Sequence, residues 1–297
     1  MSQPSLAFIG LGTMGYPMAG HLAGAGYPVC VYNRSAEKAA KWITEFSGRT
    51  ADTPQMAAKG AEFVFTCVGN DDDLGAVTLG ENGVLSAMAS GAVLVDHTTA
   101  SAGMARKIDA AAAKMDIGFL DAPVSGGEAG AVNGALTVMV GGKPEVFDRA
   151  RPLIEAYARA VTHMGPVGAG QMTKMVNQIC VAGLLQGLAE GLAFAECAGL
   201  EGEKVVEVIS KGAAGSWQMD NRALTMLKRE FDFGFAVDWM RKDLDICLAE
   251  AADNGAELPI TETINKFYKE VQEMGGGRKD TSSLIERLNR KQSSGKK

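Results

Sequence analysis

A run of four apolar residues, Leu6 to Ile9, leads straight into Gly10-Leu11-Gly12-Thr13-Met14-Gly15, and a helix-like segment from Tyr16 to Ala25 comes next. A strand, a glycine turn and a helix in that order turn a G-x-G-x-x-G match into a dinucleotide-binding expectation. Gly10 permits the tight turn, Gly12 lets the backbone approach a pyrophosphate, and Gly15 lets the helix pack close to the strand. The first N–H groups of the helix then face the phosphate charge. The whole loop, Leu11, Thr13 and Met14 included, is the first candidate cofactor contact. A plain glycine turn in some other α/β protein is the competing reading, and the flanking strand and helix patterns weigh against it.

The rest of the chain is consistent with that start. Strand-like segments at Leu6–Ile9, Val29–Tyr32, Phe63–Val68, Val93–Asp96, Gly118–Asp121, Thr137–Val140 and Ala160–Met164 alternate with helical patterns such as Ala36–Phe46, Met56–Lys59 and Ser101–Lys114. Such alternation predicts a parallel, doubly wound sheet of Rossmann type. The direction of the last two strands is left open by the pattern. At Gly165-Pro166-Val167-Gly168-Ala169-Gly170 the texture changes, and a long helical stretch begins near Gln171 and runs to about Ala198. Beyond it every pattern is helical: Val205–Lys211, Ala223–Arg229, Ala236–Asn254, Pro259–Glu273 and Ser282–Asn289. The expected fold is therefore α/β, a dinucleotide-binding domain over residues 1–165 joined by a long helix to an all-helical substrate and oligomerisation domain over residues 166–297. Residues 291–297 read as a polar tail.

The 297 residues suffice for about two domains. A net charge of −6 argues against nucleic acid or an anionic membrane as partner. Five cysteines, none in a C-x-x-C pair, read as reduced core thiols of a cytoplasmic protein. The N-terminus lacks the basic region of a secretory signal. The apolar stretch from Ile179 to Ala198 is interrupted by Gln186, Glu190 and Glu196, which reads as a buried helix rather than a membrane span. His21 and His163 have no evident metal-binding companions, so no metal is expected.

The second strand bears on the choice of nicotinamide. NAD sites carry an acid there to accept from the ribose 2′-OH. This chain has Asn33-Arg34-Ser35 instead. A guanidinium can make paired charged hydrogen bonds to a 2′-phosphate, and Asn33 and Ser35 can donate to it as well. The expectation is NADP(H) in preference to NAD(H), the competing reading being a solvated Arg34 and an NAD(H) enzyme.

Four motifs then carry a family resemblance over nearly the whole chain: Phe8-Ile9-Gly10-Leu11-Gly12-x-Met14-Gly15, Asp121-Ala122-Pro123-Val124-Ser125-Gly126-Gly127, Gly170-Gln171-x-x-Lys174-x-x-Asn177, and Lys242-Asp243. In this order and spacing the chain resembles the β-hydroxyacid dehydrogenases, the group of 3-hydroxyisobutyrate dehydrogenase, tartronate semialdehyde reductase and the glyoxylate/succinic semialdehyde reductases. The resemblance implies that Ser125, Gly126 and Gly127 bind a substrate carboxylate, which suits a hydroxyl beside the N–H groups of a Gly-Gly turn. It implies that Lys174 is the catalytic lysine, giving or taking the proton of the hydroxyl while hydride moves. Asn177, one turn on, would hold the substrate or the lysine. Lys242 would lie near the nicotinamide or substrate, supported by Asp243. The loop Cys67-Val68-Gly69-Asn70 resembles the segment beside the adenosine ribose and pyrophosphate. Thr98, in His97-Thr98-Thr99, is expected at the nicotinamide ribose, and His97 reads as structural. Trp217 and Phe235 are candidate walls of the substrate pocket, or core aromatics.

The activity implied is interconversion of a small 3-hydroxy acid and its semialdehyde, with a homodimer or homotetramer as the expected assembly and a carboxylate-bearing aldehyde or hydroxy acid as partner. Glyoxylate or succinic semialdehyde reduction is the alternative. A non-catalytic NADP-binding scaffold, or another enzyme of this fold such as an imine reductase, would be expected to have lost Lys174, which this chain keeps.

Overall fold

The computed structural model describes residues 3–293; the last four residues of the expected polar tail lie outside the described residues. In chain order the elements are β1 Leu6–Ile9, α1 Gly15–Gly24, β2 Val29–Tyr32, α2 Ala36–Glu45, β3 Arg49–Thr50, α3 Pro54–Ala58, β4 Phe63–Thr66, α4 Asp71–Leu79, β5 Val93–Asp96, α5 Ala102–Ala113, β6 Gly118–Asp121, β7 Val124–Ser125, α6 Gly127–Val132, β8 Leu136–Gly142, α7 Pro144–Ile154 and β9 Ala158–Gly165. The helical remainder is α8 Ala169–Cys197, α9 Gly202–Ile209, α10 Trp217–Lys228, α11 Val237–Asn254, α12 Pro259–Glu273 and α13 Leu284–Ser293. Two compact units divide at Lys174/Met175, within α8.

The first unit is built on one sheet of order β3-β2-β1-β4-β5-β6-β8-β7, with β9 paired to β8. Strands β1 to β6 are parallel, β8 runs antiparallel to β6 and β7, and β9 runs parallel to β8. Both faces are covered. Leu6 and Phe8 of β1 enter one core with Val29, Val31 and Phe65, whereas Ala7 and Ile9 enter the other with Val64 and Leu94. Burial on both faces is why these strands read as unbroken apolar runs.

Register aligns the strand ends that matter. Tyr32, Ile9, Thr66, Asp96 and Asp121 pair across β2, β1, β4, β5 and β6. The residues after them, Asn33, Gly10, Cys67, His97 and Ala122, thus leave the sheet along one carboxyl edge. Ligands of open α/β sheets bind at such an edge, where the strand order reverses, here between β1 and β4.

The second unit packs α8 to α13 around Leu185, Leu192, Met226, Leu244, Ile264 and Tyr268. By length and composition α8 is apolar enough to cross a membrane, a test that core helices also pass. The expectation of a buried helix holds for one face only. Ala182, Leu185, Ala189 and Leu192 are buried, while Val176, Leu184 and Phe194 are exposed. Apolar residues thus lie on both sides of the helix, joined on the exposed side by the polar Glu190 and Glu196, and this unit's own core covers one side. Cys180 and Cys197 are exposed as well, so only Cys30 and Cys247 fit the expectation of fully buried thiols.

Candidate active site

Each glycine of the first loop does a separate job. Gly10 has φ +99°, and a Cβ there would overlap the Cys67 carbonyl. Gly15 lies so close to the Gly10 carbonyl and the Phe8 ring that no side chain fits. At Gly12, by contrast, a Cβ would stand in open space. The tight positions shape the loop, and the open one bares its backbone beside the start of α1. A concavity of this kind fits the pyrophosphate of a dinucleotide.

The polar residues expected to touch the cofactor are partly used to build the loops. Asn33 Oδ1 accepts from the Leu11 N–H at 2.9 Å and its Nδ2 donates to the Ser35 carbonyl at 3.0 Å. Asn33 therefore ties the β1 and β2 loops together. Arg34 reaches outward, with its side chain 86 % exposed and Nη1 3.1 Å from Asp73 Oδ1. Ser35 stands exposed at the start of α2 and makes no side-chain cap. Asn70 caps α4 by accepting from the Asp73 N–H. Val68 donates its N–H to the Thr98 hydroxyl at 3.0 Å.

Thr98 is 1 % exposed. Its N–H donates to Asp96 Oδ1 and its carbonyl accepts from Gln171 Nε2. Thr98 joins the ends of β4 and β5 from inside the wall. The neighbouring Thr99 is the half-buried hydroxyl of the pair. His97 is buried with Nδ1 2.6 Å from the Ala122 carbonyl and Nε2 2.8 Å from the Tyr157 hydroxyl. A carbonyl only accepts, so Nδ1 carries the proton and neutral Nε2 accepts from the tyrosine. Burial pushes its pKa down to about 4, which suits a structural ring rather than a proton shuttle.

Two buried carboxylates stand side by side at the ends of β5 and β6. Asp96 Oδ1 accepts from the Thr66 hydroxyl and the Thr98 N–H, while Oδ2 has no partner among the described residues. Burial raises Asp96 to about 7, opposed by those hydrogen bonds and aided by the charge of Asp121. Asp121 is raised to about 6 by burial, with backbone N–H donors from Gly168 and Gln171 pulling the other way. Neither Asp96 nor Gln171 stood out in the sequence as a separate candidate; Gln171 appeared only as a letter of a motif.

Ser125 ends β7, and Gly126 and Gly127 come next with φ +134° and +61°, both exposed. Left-handed backbone of this kind favours glycine. Lys174 lies in the second turn of α8 and is 8 % exposed. Lysine is almost never so buried unless it is paired.

The remaining candidates belong to the second unit. Asn177 Nδ2 donates to Gln178 Oε1, Gln178 Nε2 donates to Asp243 Oδ2 at 2.7 Å, and Lys242 Nζ lies 2.9 Å from Asp243 Oδ1. Asp243 is buried, so Lys242-Asp243 is not a pair on a solvated face. Trp217 opens α10 half exposed, with the Arg222 guanidinium held between its ring and that of Phe233. Phe235 packs against the helical core. Within the second unit, then, Phe235 contributes to the edge of the core and Trp217 forms one face of a cation–π stack. Among the described residues no group of three His, Cys, Asp or Glu is placed to hold a metal.

The chain is similar to known proteins over nearly its whole length. Residues 5–165 match the family described as the NAD binding domain of 6-phosphogluconate dehydrogenase, and residues 168–288 that described as the NAD-binding domain of NADP-dependent 3-hydroxyisobutyrate dehydrogenase. An uncharacterized oxidoreductase of Shewanella frigidimarina is 61 % identical over 97 % of this chain and 99 % of its own. A probable mitochondrial 3-hydroxyisobutyrate dehydrogenase-like protein of Arabidopsis thaliana is 41 % identical over 97 % of this chain and 87 % of its own. The structure of Mycobacterium tuberculosis 3-hydroxyisobutyrate dehydrogenase with L-serine superposes with a TM-score of 0.87 at 29 % identity, covering 97 % of this chain and 99 % of that one.

Proposed function

The chain belongs to the β-hydroxyacid dehydrogenase family and is an NAD(P)-dependent oxidoreductase, and from that premise we propose that it interconverts a small 3-hydroxy acid and its semialdehyde with NADP(H) as the preferred nicotinamide. When bound, the nicotinamide supplies or accepts the hydride. Arg34 pairs with the 2′-phosphate, a group that the carboxylate of an NAD-type site would repel. The Gly10–Gly15 loop cradles the pyrophosphate. The Ser125 hydroxyl and the N–H groups of Gly126 and Gly127 hold the substrate carboxylate. Reduction of a carbonyl leaves charge on oxygen; Lys174 Nζ gives the proton there, and removes it in the reverse direction.

One observation carries this reading: a lysine 8 % exposed, one turn beyond the segment of α8 tied to the carboxyl edge of the sheet. The L-serine that accompanies the mycobacterial structure is itself a carboxylate with a hydroxyl on its β-carbon, which supports that substrate class. The test is a panel of 3-hydroxyisobutyrate, serine, 3-hydroxypropionate, glyoxylate and succinic semialdehyde, each with NADP(H) and NAD(H), read by absorbance. Turnover of a 3-hydroxy acid with NADP(H) is expected. Turnover confined to glyoxylate or succinic semialdehyde would move the assignment to those reductases, and no turnover of any carboxylate substrate would refute it.

A further inference from the structure

We propose that Asp121 is a positioning residue for the proton transfer: its buried carboxylate fixes the start of α8, and thereby Lys174, to the end of β6. The proposal rests on the reading of Lys174 as the acid–base group and names what sets the place of that group.

Asp121 is fully buried as the last residue of β6. Its Oδ1 accepts from the Gly168 N–H at 2.7 Å and its Oδ2 from the Gln171 N–H at 2.9 Å. Donors at a helix start have no partner within the helix. Here a carboxylate from the sheet takes two of them, and its charge suits the positive end of the helix. Gln171 extends the tie. Its Oε1 accepts from the Ala100 N–H at 3.1 Å and its Nε2 donates to the Thr98 carbonyl at 2.7 Å. One side chain on β6 and one on α8 therefore join three segments: the turn that leads to Ser125, the end of β5, and the helix start three residues before Lys174.

The packing leaves these segments no room to slide. A Cβ at Gly141 would overlap the Asp121 carboxylate, and one at Gly170 would meet the Asp121 and Met139 carbonyls at 2.5 Å. Bare backbone is required on both sides of the carboxylate. A general acid must lie within hydrogen-bond reach of the oxygen that it protonates. A displacement of about 1 Å in a reacting group can cost about 10²-fold in rate. Holding a flexible amine to that tolerance calls for a rigid start to its helix.

Asp121→Asn keeps shape and size but sets an NH₂ group against an N–H donor, so one of the two ties is lost. Gln171→Met keeps length and removes both bonds made by the amide. Each variant is assayed for kcat and KM on the hydroxy acid and for NADPH affinity by fluorescence, with melting curves to establish folding and Lys174→Ala as reference. The expected result is a kcat lower by about 10²-fold, with KM and the Kd for NADPH within about threefold of wild type. If Asp121→Asn does not fold, Gln171→Met decides. A kcat within about threefold of wild type in the folded variants, while Lys174→Ala loses turnover, overturns the positioning role. So does a loss of NADPH affinity that matches the loss of kcat, the mark of a site that has merely loosened. Full turnover by Lys174→Ala would remove the underlying reading and this proposal with it.

Discussion

Arg34 offers the sharpest handle on cofactor choice, because its present partner is visible. Its guanidinium, 86 % exposed, pairs with Asp73 at 3.1 Å. An exposed pair of this kind is worth about 0.2–1 kcal/mol. A hydrogen bond to a charged group contributes about 1.5–3 kcal/mol. On the proposed reading a 2′-phosphate would displace Asp73 with a net gain of about 1.5 kcal/mol, roughly tenfold in Kd. Arg34→Ala should weaken NADPH about tenfold and leave NADH nearly unchanged. Asp73→Asn frees the arginine in advance and should tighten NADPH by about two- to fivefold. Both effects should shrink as salt rises, since the Debye length falls to about 3 Å at 1 M. Fluorescence titration of the two nicotinamides against wild type and both variants, at low and high salt, gives the affinities needed. Equal NADPH affinity in wild type and Arg34→Ala would refute the assignment. A response to Arg34→Ala but none to Asp73→Asn would leave Arg34 as the phosphate ligand and discard the competition.

The glycine loop and the buried acids give two further expected outcomes. Gly12→Ala should fold with an unchanged melting temperature, since a Cβ there meets open space, yet lose NADPH affinity by about tenfold or more; Gly15→Ala should lower the melting temperature, since its Cβ would meet the Gly10 carbonyl and the Phe8 ring. Asp96 is raised to about 7 by burial. A raised acid contributes stability that is complete below its unfolded pKa near 4 and is lost as pH rises through its folded value. Asp96→Asn, neutral throughout, should accordingly lose less stability than wild type between about pH 4 and 7, by up to about 1.4 kcal/mol per pH unit, as read from denaturant melts.

The sheet was legible because parallel strands buried on both faces are written as short apolar runs; β1, β2, β5 and β6 fall where those runs predict. The two-residue strands β3 and β7 carry no such pattern, and they exist only through their neighbours. Helix α10 begins at Trp217, six residues before the expected Ala223, because Ser216 caps it by accepting from the Met219 N–H. In the site, residue types pointed to loops at the carboxyl edge of the sheet but not to their hydrogen-bond partners. Asn33, Asn70 and Thr98 are polar residues beside a cofactor cradle, yet each spends hydrogen bonds on the loops themselves. Which bond a polar side chain makes depends on segments up to 73 residues away, as for Gln171 and Thr98. Periodicity holds no trace of such pairings, and for the same reason Asp96 and Gln171 drew no attention on their own.

The central claim is that the amine of Lys174 moves the proton. Lys174→Ala, assayed at saturating NADPH and substrate beside a fluorescence titration of NADPH, is predicted to lose on the order of 10²–10⁴ in kcat while binding the cofactor as tightly as wild type. A kcat within a few fold of wild type would contradict it.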